Sequence, residues 1–521
     1  MSIIELTSYR SQKKYNYEDK IYLIQQFFMP DNLQRKVEII NTLINNCKIN
    51  HFAKIILLNE RIYTQEELSI SDEYYNKIEQ VNINKRLTFK DVFEYVYTSN
   101  LKGYIIFSNS DIFYDNTIIN LFTTPLASER TFMAQLRLEY NNECLEKCDI
   151  LKYLIKGSQD TWIYHTNMSP PVDKLYIYDF YFGIPCCDHK IMYLMKILGY
   201  NIINSPYLVR TYHYHKSDYR IYSAKNMIAK PWAFCTADVS QNMFNKQDIM
   251  YNNNNLTTYL TTKIETNKHF IIPKIGNIEN EFAYYITTNR DATVFSNFES
   301  VLKIMKHDKG ILCSTEGSIY LYANQYIQAF KNADSYLRLE INSYDYIKIE
   351  ESHDFITKKV CKASNNAIYQ NTLDIFNLIY SNPWTQALKG KRILIISPLS
   401  EIIMTKIPIR EYIYGIDLFP ECTFTFLTPP QTDGENKSKD WLLEFNDFNK
   451  ELEDIKDTYD IALIDANGYN NLICNEIYTS NKSAISIGDV LRMYFGIINK
   501  KWELEQPDII KLYKNEYWTS L

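Results

Sequence analysis

"YIIFSNSDIFYD", Tyr104–Asp115, runs four apolar residues into a Ser-Asn-Ser turn and two aspartates. A short, wholly apolar run bounded by turn formers reads as a buried strand. In an open α/β sheet, ligands collect just beyond the carboxyl ends of such strands. A carboxylate in that place can hold Mg²⁺ or Mn²⁺, which take oxygen ligands. Taken alone, the stretch is open to two readings, a polar turn or a metal site.

The flanking sequence supplies the sheet. "DNLQRKVEIINTLINN" (Asp31–Asn46) places Leu33, Val37, Ile40 and Leu43 at helical spacing, and "AKIILLNE" (Ala53–Glu60) follows as a short strand. "LTFKDVFEYVY" (Leu87–Tyr97) opens with Thr88 and Asp91 at capping-box spacing and leads back to Tyr104. Strand alternating with helix predicts an α/β sheet of parallel strands from about Lys20 to Arg220. The polar, Asn-rich "SQNMFNKQDIMYNNNNLTTYLTT" (Ser240–Thr262) is the candidate linker. Beyond it, "KRILIIS", "CTFTFLT", "YDIALID" and "SAISIGD" are apolar strands spaced by helical segments such as "DWLLEFNDFNKELEDI" (Asp440–Ile455), a series that predicts a doubly wound, Rossmann-like half. The expected division is residues 1–240, a linker at 241–262, and 263–521.

Composition bounds the function. The chain has 521 residues, 46% hydrophobic and 23% charged, which is globular in character. The 44 tyrosines against 13 glycines, with abundant Asn, Ile and Lys, read as an A/T-rich genome, as in some large DNA viruses or microbes. A net charge of −6 without a dense basic stripe argues against nucleic-acid binding. With no apolar run of membrane-span length and no leader-like start, the expected location is the cytoplasm, or the host cytoplasm if the source is viral. The ten cysteines form no CxxC, and neither Cys144/Cys148 nor Cys186/Cys187 has the partner spacing of a zinc site.

Downstream, "YDFYFGIPCCDHKIMYLMKILGYNIINSPYLVRTYHYHKSDYR" (Tyr178–Arg220) carries Asp188 at a helix start, Gly199-Tyr200, a strand, then His213 and His215. The two histidines flank a tyrosine, so in a strand both face one side, as a ligand pair or as a solvated edge. This order resembles the nucleotide-sugar transferases of the GT-A fold, especially the inverting family that contains many polysaccharide synthases. The resemblance maps Asn109 and Asp111 onto the DxD-like motif, with Asn in place of the first Asp, Asp188 onto the base, and His213 or His215 onto the late metal-binding His. "GSQDTWIYH" (Gly157–His165) resembles a segment of the same group and implies an acceptor contact for Asp160. Asp115 reads instead as the cap of a following helix.

"HFIIPKIGNIENEFAYYI" (His269–Ile286) resembles the RFGDGE opening of the bacterial GT-D-type glycosyltransferases, with Lys274-Ile275-Gly276-Asn277-Ile278-Glu279 in its place. The closing Rossmann part from Tyr459 to Asp489 resembles the same proteins and uncharacterised polysaccharide-biosynthesis proteins. Gly276 and Gly468 fit glycine turns that let a phosphate approach a helix start, or they merely turn the chain, and Glu279 is placed to touch a sugar or ribose hydroxyl. Where the GT-D-type proteins carry a D-x-E metal motif, this chain has Leu491 and Met493, with Asp489 the carboxylate nearby.

Together the resemblances imply an α/β chain with an N-terminal GT-A-like (Rossmann-like nucleotide-sugar) domain and a C-terminal doubly wound Rossmann-like α/β domain. The implied activity is Mn²⁺- or Mg²⁺-dependent, inverting transfer from a nucleotide-sugar donor to a glycan or glycoprotein acceptor. The C-terminal domain would be a second transferase or a recognition module. The competing expectation is a non-catalytic carbohydrate- or nucleotide-binding scaffold with transferase-derived folds.

Overall fold

The computed structural model describes residues 19–140, 158–219, 224–235, 237–238, 256, 258–266, 268–288, 298–338, 351–361, 366–369, 373–380 and 383–521. The chain divides into two compact units, Met1–Lys246 and Gln247–Leu521. Most of the candidate linker at 241–262, and the pair Cys144/Cys148, lie outside the described residues.

The first unit contains β1 (Lys20–Gln25), β2 (Phe52–Asn59), β3 (Ile78–Asn82), β4 (Gly103–Ser108), β5 (Ile112–Tyr114), β6 (Thr131–Leu136), β7 (Leu138–Glu139), β8 (Gln159–His165), β9 (Asn201–Ile203) and β10 (Thr211–His213). Seven of these form one sheet in the order β3-β2-β1-β4-β8-β6-β9. The chain leaves β1 toward β2 and β3, then returns to lay β4 on the other flank of β1. That reversal opens a crevice beyond the carboxyl ends of β1 and β4. Gln25, the last residue of β1, fastens the crevice floor by donating from Nε2 to Ser108 Oγ at 3.0 Å and to the Asn109 carbonyl at 2.9 Å.

The all-parallel expectation fails at β8, which runs antiparallel to both β4 and β6. Its sequence "QDTWIYH" is fully buried along its length, so burial alone could not give its direction. A sandwich of aromatic rings holds this part of the sheet: Phe89 stacks on Phe182 with centroids 4.0 Å apart and meets Trp162 edge-on at 4.8 Å. Phe89 opens the helix Phe89–Thr98, started by the Thr88/Asp91 capping box that the sequence signals.

The helix Leu33–Cys47 turns a different face inward from the one its apolar spacing suggests. Leu33 is 78% exposed and Val37 54%, while Arg35, Glu38, Thr42 and Asn46 are buried beside Ile39 and Leu43. Buried polar groups need polar partners, and Arg35, Glu38 and Asn46 find theirs in the crevice, whereas Thr42 Oγ1 is buried without one among the described residues.

The second unit contains β11 (Ile271–Ile272), β12 (Ser335–Arg338), β13 (Asn366–Tyr369), β14 (Arg392–Ile396), β15 (Thr423–Leu427), β16 (Ile461–Ile464) and β17 (Ser483–Ser486). Five strands pair in the order β11-β17-β16-β14-β15, all parallel. Side chains alternate between the faces of a strand, and both sets are buried: Leu394, Ile396, Ala462 and Ile464 on one face, Ile393, Ile395, Ile461 and Leu463 on the other. A parallel sheet covered on both faces is the doubly wound arrangement expected for this half.

Candidate functional site

The first centre forms where the small sheet β5-β10-β7 crosses the crevice. β10 runs antiparallel to β5 with His213 opposite Ile112, and the Tyr214 N–H donates to the Asp111 carbonyl at 2.9 Å. That register brings both histidines onto Asp111. His213 Nε2 and His215 Nδ1 each lie 3.2 Å from Asp111 Oδ2, and their rings are 5.4 Å apart. Asp111, His213 and His215 can each offer one ligand atom, all within 4.8 Å of one another, and they are the one such group among the described residues.

A network holds the centre in place. Arg35 Nη2 donates to Asp111 Oδ2 at 2.6 Å, and Arg35 Nη1 donates to Glu38 Oε2 at 3.0 Å. Glu38 accepts in turn from the Lys216 and Ser217 amides at 2.8 Å each. On the other flank His213 Nδ1 meets Glu139 Oε2 at 2.8 Å, Arg137 Nε donates to Glu139 Oε1 at 2.9 Å, and Arg137 Nη1 donates to Asp160. Burial alone would push the Asp111 carboxyl up, but His213, His215 and Arg35 overturn this and hold it well below the usual carboxylate range. Burial would likewise lower His213, yet the Asp111 carboxylate raises it to about 9.

The donor set fits a divalent metal. Each imidazole turns one nitrogen toward Asp111 and has the other against an oxygen: Glu139 for His213, and the Tyr219 carbonyl, 3.2 Å away, for His215. Such outer partners orient metal-bound histidines. Asp111 Oδ1 and Asn109 Oδ1 are buried and have no hydrogen-bond partner among the described residues, so the centre keeps unfilled acceptor capacity. Two imidazoles with one carboxylate suit Mn²⁺ better than Mg²⁺, which prefers oxygen throughout.

The remaining candidates of this unit lie around the same network. Asn109 Nδ2 donates to Asp160 Oδ1 at 2.8 Å. Asp188 sits in the first turn of the helix Cys187–Ile197, one residue inside it, and Cys186 occupies the cap position. Its Oδ1 accepts the His189 amide at 2.9 Å and its Oδ2 the Gln159 amide at 3.4 Å. Burial, reinforced by the nearby Asp160 carboxylate, pushes the Asp188 carboxyl up. Asp115 is a cap, accepting the Thr117 amide at 2.8 Å. Sequence reasoning missed Arg35, Glu38, Arg137 and Glu139. The signal for the first two was present, since residues 35, 38, 42 and 46 follow helical spacing on a polar stripe.

A second centre lies wholly within the second unit, beyond the carboxyl ends of β11, β16 and β17. It is a cavity of about 300 Å³ whose lining includes Gly276, Glu279 and Gly468, the three candidates from this half. Gly276 precedes the helix Asn277–Thr288, but its amide donates to Tyr326 Oη at 3.1 Å and is committed to the protein. At Gly468 the cause is packing: a Cβ there would lie 2.7 Å from the Lys309 carbonyl oxygen and 2.5 Å from Ile311 Cγ1. Leu491 and Met493 are core residues, 0% and 2% exposed, while Asp489 lines the cavity.

No protein-family model matches the sequence, and no curated protein does. Solved structures that resemble it include a selenomethionine-substituted domain of unknown function 1792, at 12% identity and a TM-score of 0.27 over 48% of this chain and 85% of that one. TarS 1-349 of S. aureus in complex with UDP-GlcNAc matches at 12% identity and a TM-score of 0.22, over 59% of this chain and 81% of that one. The apo-form glycosyltransferase GlyE of Streptococcus pneumoniae TIGR4 matches at 10% identity and a TM-score of 0.21, over 89% and 90%. At such scores these likenesses assign neither a shared fold nor a shared chemistry. Among the described residues, no helix is long and apolar enough to cross a membrane.

Proposed function

We propose that the first unit transfers a sugar from a nucleotide-sugar donor to a glycan or glycoprotein acceptor, with inversion and with a divalent metal, Mn²⁺ in preference to Mg²⁺. The observation that carries the reading is the convergence of Asp111, His213 and His215 on one point of the crevice between β1 and β4. Asp111, His213 and His215 would hold the metal, which would supply positive charge to offset the negative charge growing on a departing diphosphate. Arg35, already against Asp111, adds a fixed cation beside the same site. Asp188 takes the proton of the acceptor hydroxyl as the anomeric carbon is attacked from the face opposite the nucleotide, and burial makes it a stronger base than a free aspartate. Asp160, fixed by Asn109 and Arg137, orients the acceptor.

In this proposal the second unit recognises nucleotide or sugar through the cavity around Gly276, Glu279 and Gly468, as a recognition domain or a second transferase. The test is incubation of the full chain with UDP-, GDP- and dTDP-sugars and Mn²⁺. Slow donor hydrolysis without acceptor, lost on chelation, is expected. No turnover with any donor, together with a thermal shift on adding nucleotide, would point instead to a binding protein built on transferase-like folds.

A further inference from the structure

The second-unit cavity is unusual in its charge pairing. Its walls carry Lys274, Lys309 and Arg492 against Glu279, Asp465 and Asp489. Arg492 is engaged by Asp465 through Nε at 2.7 Å and Nη2 at 3.2 Å, and Lys309 Nζ lies 3.3 Å from Glu279 Oε1. The Lys274 ammonium, the Asp489 carboxylate and one oxygen of Glu279 are left over among the described residues. The Lys274 backbone is bonded to Asn471 on both sides, but its ammonium has no hydrogen bond or ion pair among the described residues. Glu279 is 7% exposed, and its Oε2 is buried without a hydrogen-bond partner.

The backbone makes room for the lysine. Gly488, at φ +78°, faces the ammonium so closely that a Cβ there would lie 2.9 Å from Lys274 Nζ. Burial pushes the Lys274 pKa down, only partly countered by Asp489, Glu279 and Asp465; with no oxygen in ion-pair contact among the described residues, its ammonium is placed to donate directly to a phosphate oxygen. The carboxylates of this cavity do not bring three ligand atoms together as the Asp111 group does. The cavity thus offers a spare cation at one wall and a spare acceptor at another, within a volume at the lower end for small-molecule sites.

We propose that this cavity binds a nucleoside diphosphate, free or as its sugar ester, without a divalent ion, the Lys274 ammonium meeting the phosphates and Glu279 accepting from a ribose or sugar hydroxyl. It rests on the reading of the second unit as a nucleotide- or sugar-recognition domain and is independent of transfer chemistry in the first.

The test is calorimetric titration of the full chain in EDTA with UDP, GDP, inorganic pyrophosphate and uridine. Saturable binding of a diphosphate at one site per chain is expected, weakened roughly tenfold or more in Lys274→Met and several-fold in Lys309→Gln, with no binding of uridine. The Lys309 variant keeps the test open should Lys274→Met fail to fold. Tighter binding of a nucleotide than of pyrophosphate supports the nucleoside as part of the ligand. Equal binding of both overturns that part and leaves a plain diphosphate site. Binding that appears only with Mn²⁺, uridine binding as well as UDP, or unchanged affinity in both folded variants overturns the proposal. Failure of donor hydrolysis with Mn²⁺ would instead count against the first unit, which this titration does not read.

Discussion

Arg35 Nη2 donates to Asp111 Oδ2 at 2.6 Å, and both side chains are 8% exposed. The pair joins the first turn of the helix after β1 to the loop after β4, across the reversal in strand order. Since Asp111 also faces His213 and His215, one carboxylate organises three groups that carry or can carry positive charge. Removing it leaves them buried and mutually repelling, whereas removing any one of them leaves the carboxylate with partners.

Asp111→Ala is therefore expected to destabilise the first unit by about 3–5 kcal/mol, the scale of breaking a buried ion pair from one side. The double variant Arg35→Met/Asp111→Leu should recover part of that loss, because neither charge is then stranded. Urea unfolding of the single and double variants checks this. A double variant no better than the sum of its singles would mean that the two residues do not act as a pair.

Metal dependence separates the donor set from the general chemistry. Chelation should abolish donor hydrolysis, and Mn²⁺ should restore it more fully than Mg²⁺ because two of the three ligands are imidazoles. His213→Gln and His215→Gln should each weaken Mn²⁺ binding roughly 10-fold or more, and Glu139→Gln, acting through His213, should weaken it less. Mn²⁺ titration followed by electron paramagnetic resonance reads binding without relying on turnover.

Asp188→Asn should lower transfer roughly 10²-fold or more while leaving donor binding intact. A carboxylate base works deprotonated, so transfer should rise with pH through the Asp188 pKa. Burial raises that pKa, which moves the acid limb of the rate profile above that of a free aspartate. In Asp188→Asn the limb should disappear. A profile of the same shape in both proteins would remove Asp188 from the role of base.

How much of this was legible in the sequence follows the kind of signal each element carries. The capping box at Thr88/Asp91, the strands "KRILIIS" and "YDIALID" and the helix after Asp440 are local patterns, and they stand in the structure where local chemistry puts them. His213 and His215 were readable as facing one side because a strand alternates. The direction of β8 was not, since a fully buried strand carries the same pattern either way. Leu33 and Val37 misled because the helix buries its polar stripe to serve the crevice. Arg137 and Glu139 reach His213 and Asp160 through long-range pairing, which spacing along the chain does not encode.

Gly468 tests whether a glycine at a cavity wall serves a ligand or the fold. The atoms that a Cβ would strike belong to the chain: the Lys309 carbonyl oxygen at 2.7 Å and Ile311 Cγ1 at 2.5 Å. A backbone oxygen cannot rotate away, so Gly468→Ala should push the Lys309 segment aside and cost about 1–3 kcal/mol, the scale of overpacking. Gly317 is the comparison: it lies in the helix Glu316–Asn332, and the nearest atom to an added Cβ is Thr315 Oγ1 at 3.8 Å. There the same substitution should stabilise, by about 0.5–1 kcal/mol, because alanine loses less chain entropy on entering a helix. Thermal unfolding of the two variants should thus shift in opposite directions. If Gly468→Ala unfolds like the parent protein and loses only ligand affinity, the glycine is there for the ligand and the packing account fails.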